Sequence, residues 1–323
     1  MKQVIQKFLP VLLGSLVIPA VVAQSPAAPH TQIPWAYGIN TPGIPAQEWG
    51  TEPQHVPGSS LEFVFPRDRF SPPDWHPQGH PPMPEVVAKG REPGVFACAF
   101  CHLPNGQGKP ENASLAGQPA DYMKQQIADY RAGLRISSEP DMQPPGLMLG
   151  VALSVNEAET QAAADYFSSL PYSRWLRVIE TDTVPETVVF GFMHIEKPGG
   201  GVEPIGNRII EMPESVEQTE LRNDASSFIA YVPTGSIAKG RELASGTSGV
   251  TQNCTLCHGQ DLRGLGPVPA LAGRSPSYLA RQLNDFRTGS RKGLWSPLMQ
   301  QVVAQLGPQE IVALTAWLAS LEP

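Results

Sequence analysis

Two stretches of the chain, residues 121–131 and 277–287, repeat apolar residues at the three- and four-residue spacing of an amphipathic helix. The apolar positions are Tyr122, Met123, Ile127 and Tyr130 in the first stretch and Tyr278, Leu279, Leu283 and Phe286 in the second. A proline precedes each stretch and a glycine follows it, at Pro119, Pro276, Gly133 and Gly289. Proline suits the start of a helix and glycine its end, so both stretches are predicted to be helical.

Each of these helices is followed by a second predicted helix. The first begins at Asn156, where Glu159 completes a capping-box pattern, and ends before Pro171. The other begins after Gly307 and extends to Leu321.

The segments outside these helices have a different pattern. Residues 24–84 are rich in proline but also contain seven Trp, Tyr and Phe residues. Because disordered segments are poor in aromatic residues, we interpret this arm as irregular but ordered, wrapped over the first domain. Residues 172–235 contain the β-branched runs LRVIET, ETVVFGFMHIE, NRIIEM and SFIAYV. These runs predict an insert of two to four short strands, with a turn at residues 199–201.

The chain contains an internal duplication. With a shift of 156 positions, residues 114–135 align with residues 270–291 and nine residue identities recur. After a five-residue difference in length the shift becomes 151, and Met148 then aligns with Met299. We call the two units copy one and copy two.

The length and charge of the chain restrict the classes of protein to which it can belong. A chain of 323 residues is too long for one typical core and suggests two domains. The formal net charge of -7 argues against a nucleic-acid partner, which usually needs a basic face.

The N-terminus has the features of a secretory signal. Two lysines precede the apolar residues 8–22, and small residues then precede a cleavage point before Gln24. The alternative is an uncleaved anchor, although the apolar run is shorter than a spanning helix requires. We expect export to the periplasm and no membrane span after cleavage.

These features divide the chain into five segments. They are a signal peptide at 1–23, the arm at 24–84, one helical domain at 85–171, the β-rich insert at 172–235 and a second helical domain at 236–323.

All four cysteines lie in two CxxCH motifs, one in each copy. The motifs comprise Cys98, Cys101 and His102 in copy one and Cys254, Cys257 and His258 in copy two. A zinc site built from four thiolates would leave both histidines without a role, and a redox dithiol would need a βαβ context that is absent from the sequence. Covalent haem fits the residue types, because two thiols bind the haem vinyl groups and the adjacent imidazole binds the iron. The sequence therefore predicts two covalently bound haem c groups.

The iron of each haem needs a sixth ligand. Met148 and Met299 are candidates because they occupy equivalent positions, which we expect in loops that precede helices. A core role is the alternative for either methionine. Met142 is the rival of Met148, since it lies in the five-residue insertion of copy one.

With these motifs, the sequence resembles the dihaem class I cytochromes c, and most closely the cytochrome c4-like group. The family pattern of CxxCH, LAGQ, Tyr, Gln-Leu, Gly, Arg and Met followed by a helix recurs over residues 85–171 and 236–321. Copy two departs from it with Arg274 in place of the glutamine of LAGQ, and copy one with Ile127 in place of the leucine of Gln-Leu. The resemblance implies a mainly α fold of two class I haem domains in tandem.

The resemblance also implies roles for individual residues. His102 and His258 would be the proximal ligands, and Met148 and Met299 the distal ligands of the metal. In the family, a proline carbonyl orients the proximal imidazole; Pro269 occupies this position in copy two, and copy one has Ala113 there.

Polar residues that recur after each CxxCH motif are candidates for holding the haem propionates. They are Tyr122, Gln126 and Arg135 in copy one and Tyr278, Gln282 and Arg291 in copy two. The alternative is a set of surface residues. The remaining histidines, at 55, 76, 80 and 194, lack ligand spacing, and we expect them in loops or on the surface.

Haem iron capped on both faces transfers electrons, because no position is open to a substrate. We expect a periplasmic carrier of single electrons that works with redox proteins, between a dehydrogenase or quinol-oxidising complex and a terminal oxidase. The arm and insert could instead dock the chain onto one enzyme. The enzymatic alternative is a dihaem peroxidase or sulfur-compound dehydrogenase, with an open or weakly ligated haem in copy one.

Overall fold

The computed structural model describes residues 36–45, 52–64 and 67–323. The predicted signal peptide at 1–23 lies outside the described residues.

Copy one contains five helices and one short hairpin. Its elements are α1 (Glu85–Ala88), β1 (Gly90–Arg91), β2 (Val95–Phe96), α2 (Cys98–His102), α3 (Ala120–Arg131), α4 (Gln143–Ser154) and α5 (Glu157–Ser169). The predicted helix at 121–131 is confirmed as α3, and α5 begins with the predicted capping box. The Asn156 side chain accepts from the Glu159 backbone N–H at 2.9 Å, and the Glu159 carboxylate accepts from the Asn156 N–H at 2.8 Å.

The insert contains more strands than the sequence predicts. Its elements are β3 (Leu176–Thr181), β4 (Thr183–Pro185), β5 (Thr187–Phe190), β6 (Met193–Glu196), β7 (Val202–Pro204), β8 (Ile210–Pro213), α6 (Val216–Glu220) and β9 (Phe228–Pro233). The main sheet has the order β3-β9-β8, with β3 parallel to β9 and Leu176 opposite Phe228. Strands β5 and β6 form a hairpin and β4 pairs with β7. The pairing of β4 with β7 was not predicted, because strands of three residues are too short to show a periodicity in the sequence.

Copy two repeats the helices of copy one. Its elements are α7 (Ser236–Ala244), α8 (Thr255–His258), α9 (Pro276–Arg287), α10 (Ser296–Val303) and α11 (Pro308–Ser320). The predicted helices at 277–287 and 308–321 are thus confirmed. Helix α11 is the centre of this core: it packs against α7, α9 and strand β3, and its residues from Ile311 to Ala316 are all buried.

The prediction that both methionines lie in loops before helices is wrong. Met148 lies within α4 and Met299 within α10. The helices begin earlier than expected because Pro144 and Pro297 occupy the first turn, where proline has no hydrogen bond to lose.

Within the described residues, no single helix is long and apolar enough to cross a membrane. Helices α10 and α11 satisfy the length and hydropathy criterion only as a pair bent by 114°.

The arm contacts more of the molecule than the first domain. The Ala97 N–H donates to the Arg69 carbonyl at 2.9 Å, which joins the arm to copy one as predicted. The Trp75 indole N–H, however, donates to the Leu221 carbonyl of the insert at 2.8 Å. The Tyr37 hydroxyl donates to Asp285 of copy two at 3.2 Å. The predicted placement was therefore incomplete, because an irregular segment has no periodicity to indicate which surfaces it covers.

Equivalent residues of the two copies join them. Gln118 makes two hydrogen bonds to the backbone of Ala270, at 3.0 and 3.1 Å. Its counterpart Arg274 donates to the carbonyl oxygens of Ser114 and Ala116, at 3.0 and 2.8 Å, and its guanidinium lies 3.6 Å from the Tyr172 ring centroid. The same position of the repeat thus contacts the backbone of the opposite copy on both sides of the boundary between the copies, which we call the seam.

The hydrogen bonds of Arg274 at the seam predict a contribution to the stability of the chain. Replacement of Arg274 with alanine removes two charge-assisted hydrogen bonds and leaves two buried carbonyl groups unpaired, so we expect a loss of about 2 to 4 kcal/mol in the free energy of unfolding. Chemical denaturation of the haem-loaded chain measures this loss. Lys239→Ala, which removes an exposed pair with Glu310, serves as control and should change stability by less than about 0.5 kcal/mol. Equal effects of the two substitutions would contradict the role of Arg274.

Candidate haem sites

The two CxxCH motifs adopt the same backbone path. Each histidine ends a short helix, and the next residue has a left-handed conformation, with φ of 64° at Leu103 and 86° at Gly259. The chain then turns back, so that the N–H groups of Gly108 and Gly264 donate to the carbonyls of His102 and His258, both at 2.9 Å. The duplication therefore preserves a loop that fixes each histidine.

Both imidazoles are oriented by a backbone carbonyl. Nδ1 of His102 lies 2.8 Å from the Ala113 oxygen, and Nδ1 of His258 lies 2.8 Å from the Pro269 oxygen. The alanine in copy one therefore does not remove the contact, because the acceptor belongs to the backbone. With Nδ1 donating, Nε2 keeps its lone pair and can bind iron. Burial lowers the pKa of both histidines, which favours this neutral form.

The four cysteines are free thiols in this structure. Burial raises the pKa of Cys98 to about 12 and that of Cys254 to about 11, which favours the thiol over the thiolate that a redox dithiol uses. Among the described residues, no three His, Cys, Asp or Glu side chains are grouped closely enough to hold one metal ion. The thiols thus suit covalent attachment through sulfur better than either rival.

The three candidate methionines differ in their surroundings. Met299, like Cys254 and Phe286, is partly buried and packs against the core of copy two. Met148 is half-buried in α4 and belongs to neither main core. Met142 is 2% exposed and lies in the core cluster of copy two, so packing already accounts for this side chain.

A buried polar cluster lies where the two copies meet. The backbones of Arg135 and Arg291 form an antiparallel bridge, flanked by the hydrogen bonds from Ile136 to Ser290 and from Lys292 to Leu134. The structure therefore brings the equivalent arginines of the two copies together.

Each guanidinium contacts residues of both copies. Arg135 donates to Gln126 of its own copy at 3.0 Å and to Tyr278 and Gln282 of the other, at 3.0 and 3.1 Å. Arg291 donates to Gln282 at 3.0 Å and to Gln126 at 2.7 Å. All six residues predicted to hold propionates belong to this cluster, since the Tyr122 phenol also bonds to Arg291.

The cluster contains two buried cations, and the charge of the nearby buried Asp285 reaches Arg291, but the Asp285 carboxyl group accepts its hydrogen bonds from Ser138 and Tyr37. Arg135 and Arg291 are 9% and 6% exposed, and within the described residues neither forms an ion pair with a carboxylate. Burial would raise the pKa of Tyr122, but Arg291 and Arg135 outweigh that effect and lower it. Buried guanidinium groups need partners of opposite charge. A haem c carries two propionate carboxylates, so the residues present fit this cofactor.

Some polar residues near the CxxCH motif of copy one were not predicted from the sequence. The guanidinium of Arg222, in the insert, lies 3.5 Å from the Phe100 ring centroid and donates to the Phe100 carbonyl. Lys109 and Glu111 form a buried pair at 3.0 Å in the loop after His102. Lys109 could have been recognised as unusual, because the equivalent residue of copy two is the apolar Leu265.

The other histidines have polar partners away from the CxxCH motifs. His55 lies 3.5 Å from Glu62, His76 lies 3.7 Å from Asp224, His80 lies 3.1 Å from Asp74, and Nδ1 of His194 lies 3.0 Å from Thr187. The hydrogen bond from Asp74 raises the pKa of His80.

Comparison with protein families gives one match that covers both copies. The family model for cytochrome c matches residues 87–171 and 237–322, together more than half of the chain. These two matches, each with a CxxCH motif, support two covalently bound haem c groups.

Relatives of known identity match over most of the chain. A thiosulfate dehydrogenase electron acceptor from Stutzerimonas stutzeri is 26% identical over 72% of this chain and 82% of its own length. Cytochrome c4 from Azotobacter vinelandii is 25% identical over 69% of this chain and 84% of its own length. Among solved structures, a thiosulfate dehydrogenase from Marichromatium purpuratum is 26% identical with a TM-score of 0.47, over 71% of this chain and 37% of that protein.

The arginine cluster predicts an electrostatic effect on both haems. We expect Arg135→Gln or Arg291→Gln to lower the reduction potentials by on the order of 50 mV, because removal of a buried cation disfavours the added electron. Spectroelectrochemical titration measures both potentials. As control, Arg177→Gln removes an exposed arginine paired with Glu214 and should leave the potentials unchanged. Unchanged potentials in both cluster variants would place the haem carboxylates elsewhere.

Proposed function

This chain belongs to the cytochrome c family and is a dihaem, cytochrome c4-like electron-transfer protein, and from that premise we propose its place and its partners. It works in the periplasm, takes single electrons from a dehydrogenase or a quinol-oxidising complex, and passes them towards a terminal oxidase. The proposal assigns residues 85–171 and 236–323 to the haem domains, 24–84 to the arm, 172–235 to the insert and 1–23 to a cleaved signal.

The shared arginine cluster is the observation that carries the proposal. Gln126 accepts from Arg135 at 3.0 Å and from Arg291 at 2.7 Å, and Gln282 accepts from the same two arginines. If these residues hold the carboxylates of both haems, the carboxylates lie together at the seam. The two haems would then be close to each other, which supports transfer of an electron between the two halves of the chain.

The ligand residues favour electron transfer over reactions with substrates. When bound, each haem supplies an iron that changes by one electron. His102 and His258 would hold the iron through Nε2, while their bonds to Ala113 and Pro269 keep each ring fixed. Met148 and Met299 would supply the second ligand of each iron. Ligands that are held in place move little when the charge changes, which supports rapid exchange.

The names of the relatives suggest the class of electron donor. The Stutzerimonas stutzeri relative is named as the electron acceptor of a thiosulfate dehydrogenase. We extend this to the present chain as a dehydrogenase donor.

Two observations weigh in favour of the carrier over the enzymatic alternative. His102 has the same 2.8 Å carbonyl contact as His258, so its orientation is not impaired. Met142 is buried in the core of copy two, which leaves Met148 as the better ligand for the haem of copy one. No further observation supports an open haem there.

Substitution of the methionines tests the ligand assignment. Ferric haem with methionine ligation absorbs weakly at about 695 nm. We expect Met148→Ala and Met299→Ala each to remove about half of this band, because each removes one of two sulfur ligands. Met142→Ala is the matched control: it should retain the full band while it lowers the free energy of unfolding by about 2 to 4 kcal/mol, because it leaves a cavity. Loss of the band in Met142→Ala would reverse the assignment.

Carbon monoxide tests whether either haem is open. The reduced protein should show no change in its absorption spectrum under carbon monoxide, because both iron faces are capped. Met148→Ala should bind one carbon monoxide per chain, and it serves as the positive control. Binding by the unaltered protein would favour the dihaem enzyme.

A further inference from the structure

The insert places one arginine against the CxxCH motif of copy one. The guanidinium of Arg222 lies 3.5 Å from the ring centroid of Phe100 and donates to the Phe100 carbonyl. Phe100 immediately precedes Cys101, whose sulfur would carry the haem. The backbone of Arg222 is left-handed, with φ of 59°, a conformation that glycine adopts more readily. The contact of the side chain therefore explains an arginine at this position better than the turn does.

The segment that carries Arg222 is fixed by the arm. Leu221 is 1% exposed, and its carbonyl accepts from the indole N–H of Trp75 at 2.8 Å. Glu220 is 6% exposed and forms an ion pair with Arg67. The arm and the insert together therefore hold the side chain of Arg222 against copy one.

The charge of Arg222 has no acid of its own. Within the described residues Arg222 forms no ion pair, and its Nε is buried without a hydrogen-bond partner. The charge of Glu111 reaches Arg222, but Glu111 is already paired with Lys109 at 3.0 Å. Burial lowers the pKa of Arg222 to about 10, so the guanidinium stays protonated at neutral pH. A cation that is shielded from water acts over a longer distance than an exposed one.

Several charges act on the motif of copy one. Burial raises the pKa of the Cys101 thiol, the charges of Arg222, Lys109 and Arg69 lower it, and that of Glu111 raises it. Lys109 and Glu111 largely cancel as a pair, and Arg69 is exposed to water. Arg222 is thus the member of this group that is both partly buried and unpaired.

The corresponding segments of copy two lack a charge of this kind. Apart from the histidine of the motif, residues 247–268 and 293–303 contain Asp261 and Arg263 as their ionisable side chains other than cysteine, and these two lie 3.9 Å apart on the surface. The arginine cluster at the seam contacts both copies and does not distinguish them. The insert is therefore the source of the difference in charge beside the two motifs.

We propose that Arg222 raises the reduction potential of the haem of copy one relative to that of copy two, and so draws electrons towards copy one. This inference rests on the proposed function. Reduction lowers the charge of a haem iron by one unit, so a nearby cation stabilises the reduced form. In the internal transfer one electron leaves the iron of copy two, which is oxidised, and reaches the iron of copy one, which is reduced. No atom or proton is transferred.

The distribution of one electron between the two haems tests this proposal. The haem-loaded full chain is titrated with a reductant while proton NMR follows the haem methyl groups, which nuclear Overhauser contacts to each motif assign to copy one or copy two. We expect Arg222→Gln to lower the ratio of reduced copy one to reduced copy two by about tenfold, which is about 59 mV for a one-electron couple. The potential of copy two should stay the same, because the lost charge lies beside the other motif.

Two further variants separate charge from packing. Arg222→Lys keeps the charge and should hold the ratio within about threefold of the unaltered protein. Arg208→Gln is the matched control, because Arg208 is another arginine of the insert that donates to a backbone carbonyl, that of Ile205 at 2.7 Å, but is paired with Glu203 at 2.8 Å. It should change the ratio by less than about twofold. An unchanged ratio in Arg222→Gln, or equal changes in Arg222→Gln and Arg222→Lys, would overturn the proposal.

The salt dependence tests whether the effect passes through the protein. The change caused by Arg222→Gln should stay within about twofold between about 50 mM and about 500 mM salt, because ions screen a partly buried charge weakly. Loss of the effect at the higher salt concentration would assign it to exposed charges and overturn the proposal.

Separate measurements distinguish this inference from the proposed function. Haem content, the band at about 695 nm and an equilibrium titration with two one-electron steps test the proposed function alone. If these are intact and Arg222→Gln behaves like Arg208→Gln, the role of Arg222 is wrong while the carrier function stands.

Discussion

Two buried guanidinium groups are the constraint on which the structure depends, because neither forms an ion pair with a carboxylate among the described residues. Arg135 and Arg291 meet at the seam between the copies, and their hydrogen bonds go to the neutral acceptors Gln126, Gln282 and Tyr278. Repulsion between two such cations would favour separation of the domains, unless anions join them. If the haem propionates supply this charge, haem attachment and domain association are linked.

The two copies share the geometry around their CxxCH motifs but differ in the segments that pack around them. The loop after each CxxCH motif, the 2.8 Å contact of each imidazole and the arginine of each seam are equivalent in the two copies. The surroundings have diverged: Arg222 of the insert lies over Phe100 in copy one, whereas Leu256, the counterpart of Phe100, is 72% exposed in copy two. The insert thus packs differently on two copies that share the same loop geometry.

The sequence predicted what depends on local pattern. The motifs, the helices at 121–131 and 277–287 and the capping box at Asn156 follow from spacing along the chain, and the structure contains them. The surfaces covered by the arm, and Arg222 over Phe100, depend on packing between distant segments and have no periodicity. Ala113 stands in place of the family's proline without loss of the contact to His102, because that contact needs a backbone carbonyl, which every residue provides.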